Sequence, residues 1–277
     1  MPRSHPPTLI TLARAALREH ALAPAGSRIL VAVSGGPDSM ALLHVLSLLR
    51  RRGAFGLFAH GVDHGLRPEA GGELDLAASF AGALDVPFDR SAVHVAPGGN
   101  LQARARAARW GALRAAASRL GADRIATGHH ADDRAETLII RLLRGTGVRG
   151  LAVLPARDGD RIRPLVRARR ADIDAHVMRH RIPFATDPSN RDPRFLRTRV
   201  RGEVLPLLER LSPKIVEHLC ALAGDASARI GGHGDGHMQA PLSAGRDPTS
   251  MVRIVRSKLM ELPEPRGPGA PKEPRST

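Results

Sequence analysis

The stretch Arg28 to Met40, RILVAVSGGPDSM, constrains this chain more than any other. An apolar, β-branched run (Ile29, Leu30, Val31, Ala32, Val33) gives way to Ser-Gly-Gly. Asp38 and Ser39 then lead into apolar residues at helical spacing (Met40, Leu42, Leu43, Val45, Leu46). Such a run reads as a buried strand, and the glycines turn it into a helix start. The opening of that helix leaves several backbone N–H groups without partners at the positive end of a helix dipole. Together they form an anion site suited to phosphate. Gly35 and Gly36 are expected to adopt positive φ and to let the backbone approach a ligand closely. The loop is not a Walker A element, because the Lys-Ser/Thr ending and the longer spacing are absent.

The rest of the chain repeats the alternation of strand and helix. Residues 8–22 carry helical periodicity, and the helix after the glycine loop is expected to run to about Arg52 with Gly53 as its C-cap. AFGLFAHGV (54–62) reads as a second buried strand. It ends in the polar cluster Asp63-His64-Gly65-Leu66-Arg67, at the carboxyl edge where open α/β sheets bind ligands. Pro68 starts a helix with Leu74, Leu76, Ala77, Phe80 and Leu84 as its apolar face. PFDRSAVHV (87–95) is a third strand, and Asn100 is expected to cap a long helix 101–120 bearing Arg104, Arg106, Arg109 and Arg114. RIATG (124–128) is a fourth strand, followed by a helix in which Asp133 and Glu136 have capping-box spacing and which Gly145 stops. RIRPLV (161–166) adds a last strand, and helices follow around 170–180, 194–211 and 213–223. This pattern implies parallel βαβ units in a doubly wound, mostly parallel α/β sheet followed by a small helical region.

Composition bounds the partners. The 277 residues hold 42 Lys+Arg against 27 Asp+Glu, a net charge of +15, and lysine stands only at 214, 258 and 272. Such an arginine excess suggests a polyanionic partner, since guanidinium pairs with phosphate in a bidentate fork. A coding bias towards Arg, Ala and Gly accounts for part of it. Cys220 is the single cysteine, so neither a disulfide nor a cysteine-based zinc site forms within one chain. No apolar run reaches the length of a membrane span and no signal-peptide h-region is apparent, so no membrane contact is expected and a cytoplasmic location is. From Gly231 onward the chain is Gly/Pro-rich and disordered-looking, apart from SMVRIVRSKLMEL.

The motif S-G-G-P-D-S resembles the SGGxDS loop of the PP-loop ATP pyrophosphatases, which bind ATP by its leaving pyrophosphate. The loop alone does not choose a substrate. Residues 61–67 (GVDHGLR), 128–137 (GHHADDRAET), 144–155 (RGTGVRGLAVLP), 161–167 (RIRPLVR) and 187–206 (DPSNRDPRFLRTRVRGEVLP) resemble, in order and spacing, the tRNA(Ile)-lysidine synthases. The resemblance covers about residues 28–215. It implies an adenine nucleotide α-hydrolase-like PP-loop catalytic domain over 1–215, with linker helices from about 168. A helical extension (216–230) and a short, partly disordered C-terminal region (231–277) would follow. It also implies a ligase of the EC 6.3.4 type that attaches free L-lysine to C2 of the wobble cytidine of a CAU-anticodon isoleucine tRNA, using ATP and Mg²⁺ by way of an adenylated cytidine.

The same resemblance suggests roles residue by residue. Ser34, Gly35, Gly36, Pro37, Asp38 and Ser39 would cradle the phosphates, with Asp63 and His64 beside the nucleotide. Asp38 and Asp133 would reach the metal. Asp38, His129, Asp133 and Arg201 would form the catalytic set, with Asp133 near the amine and His129 orienting groups or transferring a proton. Arg197, Arg199 and Arg201 would hold tRNA phosphate or pyrophosphate. Blander roles stand beside these: a helix cap for Asp133, a solvated surface for the arginines, and Asx turns for Asp187 and Asn190. The family commonly has Asn where Asp63 stands. Its fuller members carry further tRNA-gripping domains, whereas about 60 residues follow position 215 here. A tRNA outspans a domain of this size, so a homodimer in which a partner chain shares the contact is the expected assembly. Rival readings are a tRNA thiolase, against which the single cysteine argues, an amidating ligase such as NAD synthetase, and a catalytically silent tRNA-binding protein.

Overall fold

The computed structural model describes residues 7–63, 65, 70–94, 99–186, 192 and 194–231. Strand β1 (Arg28–Val33) lies in the interior of a six-stranded sheet. Ile29, Val31 and Val33 face one side, where they join Leu9, Ala13 and Ala16 of α1 (Leu9–Glu19) and the apolar face of α2 (Pro37–Gly53). Ala77 and Ala81 of α3 (Ala70–Ala83) and Ile173 and Val177 of α6 (Arg170–His180) complete that layer. Leu30 and Ala32 face the other side, against Leu113, Ala116 and Ala117 of α4 (Leu101–Leu120). A strand covered by helices on both faces cannot alternate polar and apolar residues, which is why its sequence is continuously apolar. Each buried Val, Leu or Ile side chain contributes about 1.5–3 kcal/mol by leaving water.

The remaining strands are β2 (Gly56–Asp63), β3 (Phe88–Ala92), β4 (Arg124–Ala126), β5 (Arg157–Asp158) and β6 (Arg161–Ile162), in the order β3-β2-β1-β4-β6-β5. All neighbours pair in parallel except β5, which pairs antiparallel with β6. The strand order reverses at β1, with β2 on one side and β4 on the other. The carboxyl ends of β1 and β4 therefore splay into a crevice, the usual ligand position in such sheets.

A third apolar cluster brings Ala135, Leu138 and Ile139 of α5 (Ala131–Leu143) against Val216, Leu219 and Ala223 of α9 (Ile215–Gly231). Between them in sequence, α7 (Leu196–Arg199), a π-helical segment (Val200–Val204) and α8 (Leu205–Leu211) join end to end with helical backbone angles. The widened turn just precedes Pro206. Proline has no N–H to give and its ring crowds the carbonyl four residues back, so the helix must loosen there. No helix among the described residues is long and apolar enough to cross a membrane.

Several local expectations shift. The helix after the glycine loop runs through Gly53 and is closed by Ala54 in the left-handed conformation (φ 49°), its amide bonded to the Arg50 carbonyl. Asn100 sits at the N-cap of α4, but with φ 59° its side chain makes no capping bond. The capping box of α5 spans His130 and Asp133, not Asp133 and Glu136: the Asp133 carboxylate reaches back to the His130 amide at 3.2 Å. Pro68, Asp187, Asn190 and everything after Gly231 lie outside the described residues.

Candidate active site

The phosphate loop joins β1 to α2 within the crevice. Gly35 has φ +77°, and a Cβ there would stand 2.8 Å from the Glu73 carbonyl oxygen, so both conformation and space demand glycine. Gly36, by contrast, is the N-cap of α2 with an extended φ of −73°. It offers no side chain to cap the helix, so the opening amides of α2 are left for a ligand at the positive end of the helix. Ser39 shapes the loop: its hydroxyl donates to the Gly36 carbonyl at 2.9 Å and accepts from the Ser34 amide at 3.2 Å. The segment after α6 docks on the same loop, where the Ala185 amide donates to the Gly35 carbonyl at 2.9 Å.

The second wall follows β4. Gly128 passes directly under α2, and a Cβ on it would lie 2.8 Å from the Asp38 carbonyl oxygen. His129 follows, its Nδ1 2.9 Å from the Thr127 hydroxyl. Burial pushes its imidazole down to about 4, so His129 is neutral at pH 7. His130 is the N-cap of α5 and is almost fully buried. Its Nδ1 lies 3.4 Å from Asp132, and its Nε2 lies 3.4 Å from Asp133 and 4.0 Å from Asp38. Burial opposes its charge, but the three carboxylates outweigh burial and raise its pKa.

The third wall is the helix that follows the DPSN motif. Arg197 and Arg201, four residues apart, project onto α5, where Asp133 and Glu136 stand three apart. Glu136, only 1 % exposed, accepts from Arg197 Nε at 2.9 Å and Arg201 Nε at 2.6 Å. Asp133 accepts from Arg197 Nη2 at 2.9 Å. Although burial alone would raise Asp133, His130 and Arg197 bring its pKa below the usual carboxylate range. Asp38 is the opposite case: burial raises it more than Arg170 and His130 lower it.

These walls enclose a cavity of about 760 Å³, lined among others by Ser34, Gly36, Pro37, Asp38, Ser39, His129, Asp133, Arg197 and Arg201. Asp63 and Arg199, both singled out in the sequence, do not line it. Asp63 ends β2 and turns its carboxylate to the Gly65 amide at 2.8 Å, and it does not line the cavity. Arg199 lies on the outer face of its helix, paired with Glu203. His64 is outside the described residues. Conversely, Arg170, Asp174, Ala185 and Thr186 line the cavity without having stood out in the sequence, and so does Arg109, which had been given no role in a site. The signal for Arg109 was there, since it was already read as part of the basic face of α4.

A phosphate loop at the switch point of a doubly wound sheet, walled by arginines, is the site of a PP-loop nucleotide-binding protein. The family model described as a PP-loop domain matches residues 11–208. Among curated proteins, a tRNA(Ile)-lysidine synthase of Aromatoleum aromaticum is 44% identical over 203 residues, covering 71% of this chain and 47% of the relative. One from Thermobifida fusca is 39% identical over 274 residues, covering 93% of this chain and 83% of the relative. Among solved structures, a U34-tRNA thiolase from Methanococcus maripaludis superposes with a TM-score of 0.64 at 19% identity, covering 85% of this chain and 84% of its own, a likeness of fold alone. The chain belongs to the tRNA(Ile)-lysidine synthase family. It spans about half the length of the Aromatoleum relative and most of the Thermobifida one.

Proposed function

We propose that this protein ligates free L-lysine to C2 of the wobble cytidine of a CAU-anticodon isoleucine tRNA at the expense of ATP. One observation carries the reading: a single cleft gathers the phosphate loop, His129, Asp133 and the guanidiniums of Arg197 and Arg201, in a chain whose relatives bear the name tRNA(Ile)-lysidine synthase. In the first step the cytidine O2 attacks the α-phosphorus of ATP. The bond to the bridging oxygen breaks, and pyrophosphate leaves with the electron pair. In the second, the lysine ε-nitrogen attacks C2, and AMP leaves carrying the former O2.

The phosphate loop and the opening amides of α2 hold the leaving pyrophosphate, with Arg197 and Arg201 within the same cleft to meet its growing charge. Asp38 and Asp133 both approach Nε2 of one imidazole. No group of three or more His, Cys, Asp or Glu side chains among the described residues forms a metal site on its own. Two carboxylates completed by phosphate oxygens and water suit Mg²⁺. Bound there, the ion would neutralise phosphate charge.

The ε-ammonium must lose a proton before it attacks, since its ordinary pKa is ~10.4. Arg109, Arg170, Arg197 and Arg201 all line the cleft, and a cation entering among them is acidified. Asp133 is the carboxylate best placed to orient it, and neutral His129 the group that accepts a hydrogen bond or a proton. Arg199, facing outward and paired with Glu203, and the exposed arginines of α4 would meet tRNA phosphate at the surface. Two copies sharing one tRNA is the assembly that goes with this reading. The proposal is tested by AMP release from ATP in the presence of the CAU transcript and lysine. Release that requires both substrates supports it. Release that needs neither, or none at all with ATP bound, overturns it.

A further inference from the structure

Asp38, on the phosphate-loop wall, already has a cationic partner: Arg170 Nη1 donates to its Oδ1 at 2.6 Å. That guanidinium is aimed from a braced mount. Arg170 begins α6, and its backbone amide donates to Asp132 Oδ2 at 2.8 Å. The same carboxylate takes Nε and Nη2 of the neighbouring Arg169, at 3.1 and 3.0 Å. Arg169 in turn bonds Glu209 of α8. Asp132 belongs to the first turn of α5, so the openings of α5 and α6 are pinned together and the base of Arg170 is fixed. Beyond that base the side chain reaches into the cleft. It is about a third exposed, lines the cleft with Ser34, Gly36 and Asp174, and among the described residues its one hydrogen-bonded side chain is Asp38.

A guanidinium and a divalent cation compete for a single carboxylate, and phosphate attracts both. The fork of a guanidinium matches two phosphate oxygens better than it matches one carboxylate oxygen held end-on. We infer that Arg170 is a phosphate ligand parked on Asp38: arriving ATP draws its guanidinium onto the β- and γ-phosphates, and Asp38 is thereby released to the accompanying metal ion. Before ATP arrives the pairing gives the half-buried Asp38, which faces Asp133 across His130, a guanidinium partner. The cleft thus exchanges one cation for another as phosphate enters. The inference rests on reading the cleft as an ATP site.

The test uses the full chain with Arg170→Met and Arg170→Lys. Mn²⁺ affinity without nucleotide is read by electron paramagnetic resonance, and pyrophosphate and ATP affinity by calorimetry. Arg170→Met is expected to bind free Mn²⁺ several-fold more tightly, because the competitor for Asp38 is gone. It should bind pyrophosphate about 10- to 100-fold more weakly, the loss of a charge-assisted pair. Arg170→Lys should fall between. Loss of both affinities together would make Arg170 a structural brace and overturn the inference, as would no change in either. If the unaltered chain binds no ATP, the reading of the cleft fails first; if it binds ATP and Arg170→Met binds it equally well, only this inference fails.

Discussion

Glu136 holds two guanidiniums on one buried carboxylate, and the cleft's third wall hangs on it. Glu136→Gln keeps the shape and removes the charge that Arg197 and Arg201 face. The expected cost in denaturant unfolding is about 1–3 kcal/mol, the range for depriving charged groups of a partner, with lysidine formation falling at least about 10-fold. Unchanged turnover would detach the arginines from the chemistry. Gly128→Ala should act through geometry instead. Its methyl group would press on the Asp38 backbone at 2.8 Å and displace the start of α2, so ATP affinity should drop more than overall stability does. His44 and His176 give a pH signature away from the cleft. Their Nδ1 and Nε2 lie 2.9 Å apart, with the His180 ring against both and Phe80 stacked on His44. Burial, then the neighbouring imidazoles and Arg179, push His176 down to about 4, and burial also lowers His44. Both are neutral in the fold but protonate below ~6.5 in the unfolded chain. Between about pH 6.5 and 4 the unfolded chain therefore binds more protons, and stability falls as pH falls. The melting temperature should decline through that window, and His176→Leu should flatten the decline; an unchanged slope would count against this.

At the scale of elements, α9 closes the far side of α5, and Cys220 records how tightly. Its thiol donates to the Ala131 carbonyl at 3.4 Å, and burial pushes it up to about 11. Alkylation at pH 8 should be slow in the native protein and fast in urea, whereas rapid native labelling would mean that α9 opens readily. The elements that are long and periodic could be read from sequence, and β1 with its loop and α2 could be read almost residue by residue. Of the β5–β6 hairpin, β6 reads as a longer strand over 161–166 but holds only Arg161–Ile162, and β5 could not be read, because two residues per strand carry no periodicity. Nor could the widened turn before Pro206 be read, since helical spacing survives it on both sides. The cleft was legible as a set of motifs but not as a set of contacts. Arg197 meets Glu136 across 61 positions of sequence, and Arg170 meets Asp38 across 132, so no local pattern pairs them. The glycines illustrate the same limit. Gly35 requires its left-handed φ and Gly36 does not, though the two are adjacent and identical in sequence.

Across the whole molecule, the arginine excess divides in two. One set turns inward, where Arg109, Arg170, Arg197 and Arg201 line a cleft that also holds Asp38, Asp133 and Asp174. The other, including Arg199 and the outward arginines of α4, remains on the surface, where a polyanion such as tRNA would meet it. The topology accounts for the meeting of chemistries: the strand order reverses at β1, so the phosphate loop and the His129–Asp133 loop open into one crevice. The central claim is that this crevice joins lysine to cytidine. Incorporation of radiolabelled lysine into an isoleucine tRNA transcript with a CAU anticodon, with and without ATP, tests it most directly. The account predicts label that requires ATP and vanishes when the wobble cytidine is replaced by uridine. No label from a chain that binds ATP, or label that survives the replacement, would contradict it.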